Sequence, residues 1–195
     1  MKYLQKTEAP EGKVGNHRIE RFTVSEDESK LDQLRGLFGG RGRYTPPGTY
    51  TRLRRDGSWG CTVVMSDTPD ELRDHYSAVT AAKGHCLIHG LGLGIVAEAC
   101  LRKDDVTKVT VIELSREVIQ LIGPYLFETW GERIEIVNAD ALTWKAPKGE
   151  RYGMVWHDIW DTICADNLDA MKLLHRRYGR RTDWQGSWAR YLCER

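Results

Sequence analysis

At 195 residues and 41% hydrophobic side chains, the chain is long enough for one domain with a real core. Its 29 basic and 28 acidic side chains leave a formal charge of +1, which excludes a global field drawing it to nucleic acid or membrane. The five cysteines, Cys61, Cys86, Cys100, Cys164 and Cys193, are odd in number and lack metal-ligand spacing, so they read as free thiols of a cytoplasmic protein without a metal site. No signal-like segment opens the chain and no run of about 18 apolar residues occurs, so no membrane association is expected.

In chain order, a loose polar arm leads to "HRIERFTVS", whose Ile19, Phe22 and Val24 suggest a strand with one buried face. "SEDESKLDQLRGLF" predicts a helix with Ser25 and Glu28 as a capping box and Leu31, Leu34 and Leu37 on one side, ending at Gly39-Gly40. "GGRGRYTPPGT" is irregular, and "TYTRLRR", Asp56-Gly57 and "SWGCTVVM" form a hairpin. A joining helix over "SDTPDELRDHYSAVTAAKG" follows, with Thr68 as cap, Pro69 in its first turn and Glu71 three residues after the cap. From residue 85 strands and helices alternate: "HCLIHG", "GIVAEACLRK", "KVTVIEL", "SREVIQLIGPYLFETW" (bent at Pro124), "RIEIVNAD", "YGMVWHD" and "ADNLDAMKLLHRRYG". The expectation is α/β, a Rossmann-like parallel sheet of order 3-2-1-4 over residues 81–195, with a small β-hairpin and helix appendage over 1–80. "GRRTDWQGSWARYLCER" reads as a short amphipathic helix, which leaves the carboxyl-terminal side truncated and a sheet edge that a second copy could cover.

A strand, a glycine-rich turn and a helix make a nucleotide-binding unit, because the turn admits a ligand to the backbone. Gly90, Gly92 and Gly94 carry the turn, while Ile95 stands where a dinucleotide fingerprint needs its third glycine. The spacing suits S-adenosylmethionine better than NAD, and no Gly-Lys-Ser/Thr follows that would make a phosphate loop. Glu113 ends the next strand, where a carboxylate can accept both hydroxyls of a ribose, with Leu114 beside it. Asp140, followed by Ala141, ends the third strand within reach of an adenine amine.

"YGMVWHDIWD" carries the densest chemistry. Asp158 and Asp161 are the candidate catalytic carboxylates, able to bind a cationic amine and take its proton, with Trp156 or Trp160 holding it by cation–π contact. Alternation puts His157 on the opposite face, as a structural residue. Asp161 also has a plain alternative, capping the helix that begins near Thr162.

These motifs, "CLIHGLGLG", "VTVIELSREVI", "IVNADALTW" and "YGMVWHDIWD", resemble those of the spermidine synthase branch of class I methyltransferase-like folds, over roughly residues 60 to 165. The resemblance implies that Glu113 holds a ribose, that Asp140-Ala141 meets adenine and that Asp158 and Asp161 handle an amine. It also implies a small amino-terminal sheet from "LRRDGSWG" and a joining helix from "PDELRDHYSAV" that brings Tyr76 near the substrate, with Trp160. The chain departs from that pattern in three places: Trp59, Gly60 and Cys61 replace a glutamine, Thr162 a proline, and Gly153 an acidic residue.

The first functional expectation is therefore a methyltransferase using S-adenosylmethionine on an amine or another nucleophile. The second is a polyamine aminopropyltransferase using the decarboxylated cofactor, and the third a non-catalytic binding module. A small-molecule acceptor is expected over nucleic acid, since Arg41, Arg43, Lys172, Arg176, Arg177, Arg180 and Arg181 read more simply as a mobile loop and a solvated helix face.

Overall fold

A computed structural model describes residues 2–37, 44–58 and 60–195. The expected end of the first helix at Gly39-Gly40, and the loop arginines Arg41 and Arg43, lie outside them. Two sheets make up the fold. The first is antiparallel and four-stranded in the order β1 (Gly12–Val14), β2 (His17–Val24), β3 (Gly48–Gly57), β4 (Gly60–Ser66).

Within it, the capping box forms as its spacing predicts at the start of α1 (Glu26–Leu37): Ser25 N donates to Glu28 Oε2 at 2.8 Å, and Glu28 N donates to Ser25 Oγ at 3.3 Å. Leu31 and Leu34 do not meet the core, being about half exposed. The hairpin also turns later than Asp56-Gly57. Those residues are still strand, paired Asp56 to Cys61 and Gly57 to Gly60.

The joining segment is two short helices, not one: α2 (Pro69–Asp74) and α3 (Tyr76–Ala81), broken at His75. Thr68 makes no side-chain cap; its hydroxyl meets Ser66 Oγ at 3.0 Å, and Glu71 reaches back to accept from Ser66 N at 2.5 Å. The break turns His75 inward, where it is buried.

The second sheet is wholly parallel. It comprises β5 (Gly84–His89), β6 (Val106–Glu113), β7 (Ile134–Asn138), β8 (Tyr152–His157) and β9 (Thr182–Ser187), in the order β7-β6-β5-β8-β9. Numbered within this sheet the order is 3-2-1-4-5, so the expected 3-2-1-4 arrangement holds and a fifth strand extends it. The reading of the carboxyl-terminal segment as a helix is thus corrected: only α7 (Arg190–Cys193) is helical, and β9 covers the edge of β8 that truncation would have left open.

One face of this sheet packs Cys86, Ile88, Val109, Val111, Met154 and Trp156 with α3, α4 (Ile95–Leu101) and α5 (Arg116–Trp130). Val118, Ile122 and Leu126 recur along α5 at four-residue spacing and are all buried. Leu87, Ile112, Val155 and Tyr152 face the other way, toward Leu174 and Tyr178 of α6 (Asn167–Tyr178). Because β5 and β8 are covered on both sides, their sequences are apolar runs with no alternation.

The crossover from β7 to β8 has no helix. Instead Arg177 donates to the carbonyls of Ala141, Leu142 and Trp144, and Arg181 to those of Ala146 and Pro147. These donors satisfy backbone acceptors that a helix would have satisfied internally. Two arginines of the expected solvated face are therefore structural. The small sheet leans on α5 through His17 Nδ1, 2.5 Å from Glu117 Oε2, and Asn16 N, which donates to the same oxygen at 3.1 Å.

Among the described residues no helix is long and apolar enough to cross a membrane, and no group of three or more His, Cys, Asp or Glu side chains is placed to hold a metal.

Candidate active site

All four strand ends that the sequence singled out open on one cavity of about 520 Å³ between the two sheets. It lies outside the carboxyl ends of the parallel strands, at the adjacent ends of β5 and β8, where the strand order reverses. Gly90, Gly92, Glu113, Leu114, Asp140, Ala141, Asp158, Trp160 and Asp161 line it. Gly94 and Tyr76 do not.

The glycines answer first to the protein itself. Gly90 has φ of +94°, and a Cβ there would lie 1.9 Å from the Asp158 carbonyl oxygen. Bare backbone at Gly90 is what lets β8 end beside the turn, with Asp158 N donating to His89 O at 2.9 Å. Gly94 precedes α4 and packs against Ile122 and Leu126 of α5, so it sets helix placement and not ligand contact. Tyr76 opens α3 and is half exposed, turned from the cavity by the break at His75.

Glu113 is fastened at both oxygens: Leu91 N donates to Oε2 at 2.8 Å and Ser115 N to Oε1 at 2.7 Å. Burial raises its pKa while those N–H groups oppose the rise. Each carboxylate oxygen still has a lone pair for a hydroxyl donor. Leu114 is 70% exposed, an apolar surface beside the acid on which a flat ring can rest. Asp140 Oδ1 accepts from Leu142 N at 2.8 Å, which fixes the carboxylate at the cavity wall and leaves Oδ2 for a ligand amine.

Asp158 stands at the other end. Its carboxyl is pushed up to about 8, by burial first and then by the carboxylates of Glu71, Asp74 and Asp161. His75 Nδ1 lies 3.8 Å from Asp158 Oδ2, and Arg55 Nη2 donates to Asp161 Oδ2 at 2.5 Å. In the sequence Glu71 stands out only as a helix-start residue and His75 and Arg55 carry no local signal, yet all three line the cavity.

Of the two tryptophans, Trp160 is the one at the cavity; Trp156 is buried, stacked on Trp184 at 6.2 Å between ring centres. His157 faces the α6 side, as alternation predicts. There its Nδ1 is 2.8 Å from His89 Nδ1, and burial pushes its pKa down to about 3, so it is neutral and structural. Asp161 is not a helix cap: α6 begins only at Asn167.

No family model matches the chain. It is 30% identical over 128 residues to the polyamine aminopropyltransferase of Prochlorococcus marinus subsp. pastoris, covering 60% of this chain and 44% of that protein. The chain thus matches less than half the length of this relative. Among solved structures it is similar to the 23S rRNA methyltransferase ErmE, with a TM-score of 0.46 and 20% identity over 59% of this chain and 43% of that one. The amino-terminal domain of EvdMO1, solved with SAH and D-fucose, gives a TM-score of 0.45 and 20% identity, over 60% and 48% of the two chains. The parallel order 3-2-1-4-5, the glycine turn after its first strand and the acid ending its second agree with the resemblance carried by the motifs.

The chain has a Rossmann-like α/β fold with a parallel sheet of order 3-2-1-4-5.

Within that fold the cavity has two chemically distinct ends. Glu113, Leu114 and Asp140 can hold a nucleoside by its hydroxyls, ring face and amine. Glu71, Asp158 and Asp161 can hold a cation and accept its proton.

Proposed function

We propose that this chain is an S-adenosylmethionine-dependent methyltransferase acting on the nitrogen of a cationic amine. The observation that carries the reading is the placement of Asp158, a carboxyl that burial and the neighbouring Glu71, Asp74 and Asp161 push up to about 8, on a cavity whose far end suits adenosine. A base so placed can take the proton of an ammonium near neutral pH, because the incoming positive charge favours its ionised form. The proton passes from nitrogen to the Asp158 carboxylate, the freed lone pair forms the N–C bond, and the S–C bond breaks to leave a neutral thioether. The sulfonium supplies the electrophile; the protein supplies in-line placement and the base. Trp160 supports the reading as a cation–π wall for the acceptor.

A second reading, aminopropyl transfer from the decarboxylated sulfonium, is favoured by the match to polyamine aminopropyltransferases. The fifth strand supports it too, since the sheet continues past β8.

Calorimetric titration of the chain with S-adenosylmethionine, its decarboxylated form and S-adenosylhomocysteine tests both. Tighter binding of the two carboxylate-bearing ligands is expected; preference for the decarboxylated one would transfer the proposal to the second reading, and no binding would sink both. Glu113→Ala is expected to weaken S-adenosylhomocysteine by about 1.5–3 kcal/mol, two charge-assisted hydrogen bonds being lost. It should also lower the melting temperature of the free protein, because Leu91 N and Ser115 N lose their acceptor. Unchanged affinity in this variant would place the adenosine elsewhere.

A further inference from the structure

A guanidinium and a carboxylate held side by side on a cavity wall are complementary to a zwitterion. Arg55 comes from β3 of the small sheet and Asp161 from the loop after β8, 106 residues apart in sequence, and they meet at 2.5 Å on the cavity lining. Both stay accessible, with side chains 46% and 30% exposed. Among the described residues the Arg55 guanidinium bonds the Asp161 carboxylate and no other side chain, and that carboxylate bonds no other, so most of the guanidinium donors and the second carboxylate oxygen are available to a ligand.

The neighbouring arginines do something else. Arg52 and Arg54 both turn to Glu20 within the small sheet, at 2.7 Å and 2.9 Å, and neither lines the cavity. Stability alone does not account for the Arg55 pair, since a partly exposed ion pair contributes about 0–1 kcal/mol. What it does is give an acid-rich cavity end a cation fit for a carboxylate, in the planar donor geometry that carboxylates prefer. A diamine would set its second ammonium beside that guanidinium; an amino acid would set a carboxylate there.

We propose that the Arg55–Asp161 pair is a subsite for the carboxylate and ammonium of an α-amino acid group, supplied either by the methionyl tail of the donor or by an amino-acid acceptor. The proposal rests on the reading of the cavity as a sulfonium-dependent transferase site, and it adds the residue that selects a carboxylate-bearing ligand.

The test compares wild type with Arg55→Met and Arg55→Lys by calorimetry, each variant first checked for a cooperative thermal melt. 5′-Methylthioadenosine, which has no amino acid group, reports on the adenosine end alone. If the donor tail is the ligand, Arg55→Met weakens S-adenosylhomocysteine about tenfold or more and leaves 5′-methylthioadenosine unchanged, with Arg55→Lys in between. If the acceptor is the ligand, S-adenosylhomocysteine binding is unchanged. Wild type saturated with 5′-methylthioadenosine then prefers L-ornithine to 1,4-diaminobutane, and Arg55→Met loses that preference. Identical affinities in wild type and Arg55→Met for all these ligands overturn the subsite while leaving the transferase reading intact. So does an Arg55→Met variant that gains 1,4-diaminobutane without losing either amino-acid ligand. Wild type that fails to bind 5′-methylthioadenosine overturns the transferase reading and the subsite with it.

Discussion

Gly90→Ala is expected to destabilise the chain more than alanine at either neighbouring turn glycine, by about 3 kcal/mol or more, and to abolish sulfonium binding. Two costs coincide at this position. The backbone sits at φ of +94°, outside the ordinary range of a residue with a Cβ, and the added carbon would fall 1.9 Å from the Asp158 carbonyl oxygen and 2.9 Å from its carbon. Backbone at the end of a central strand cannot swing aside as a side chain can. Relief requires β5 and β8 to part at their carboxyl ends, which breaks the Asp158 N to His89 O bond and moves the acid itself. At Gly92 the obstacle is Met65 Sδ, the far end of a flexible side chain, and at Gly94 it is Ile122 and Leu126 methyls at 3.2 Å. Thermal melts of the three alanine variants should therefore rank Gly90 as the most damaging. A Gly90→Ala protein melting within about 2 °C of wild type would show that the close approach of β8 to the turn is not what the glycine serves.

That close approach also marks where the sequence stops being legible. The motifs around Gly90, Glu113, Asp140 and Asp158 could be read because each is local: an apolar strand, a punctuating glycine or acid, and a helix pattern after it. The strand order followed from the same alternation. β9 was invisible for the opposite reason. "TDWQGS" has no apolar alternation and a glycine near its end, and it becomes a strand by pairing with β8, while Trp184 stacks on buried Trp156. Long-range contacts overrule local preference there. The break at His75 has no proline or glycine to announce it; it coincides with Asp74 accepting from Trp188 Nε1 at 3.2 Å and with the buried approach of His75 to Asp158. The resemblance placed Tyr76 near the substrate, whereas at the start of α3 after the break it is half exposed and outside the cavity lining. The Arg55–Asp161 pair joins the small sheet to the loop after β8, so neither segment read alone contains any sign of it.

Asp158→Asn is expected to separate binding, catalysis and stability, because the three depend on different states of one carboxyl. Adenosine-end affinity should be unchanged, since the amide keeps the shape of the side chain and lies at the other end of the cavity. Turnover should fall by a factor of about 10²–10⁴, the loss typical of a removed general base. In wild type the kcat/KM profile should rise with pH toward the free-enzyme pKa near 8, and this limb should vanish in the variant. Stability should move the other way. With a folded-state pKa near 8 against an ordinary 3.8, the folded protein holds a proton that the unfolded chain releases at intermediate pH. Wild-type stability from this group is therefore highest below about pH 4, falls through the window between the two values, and is flat above about pH 8. Asparagine has no charge to desolvate or to repel Glu71, Asp74 and Asp161, so it escapes that loss. The variant should melt close to wild type near pH 4 and be more stable by about 2–4 kcal/mol at pH 9, a figure reduced from the full pKa difference because a fifth of the Asp158 side chain remains open to the cavity. Denaturant melts at the two pH values check the sign. An Asp158→Asn protein less stable than wild type at pH 9 would mean that the ionised carboxyl is favourably held in the fold, and that a base strained by its neighbours is the wrong description of the site.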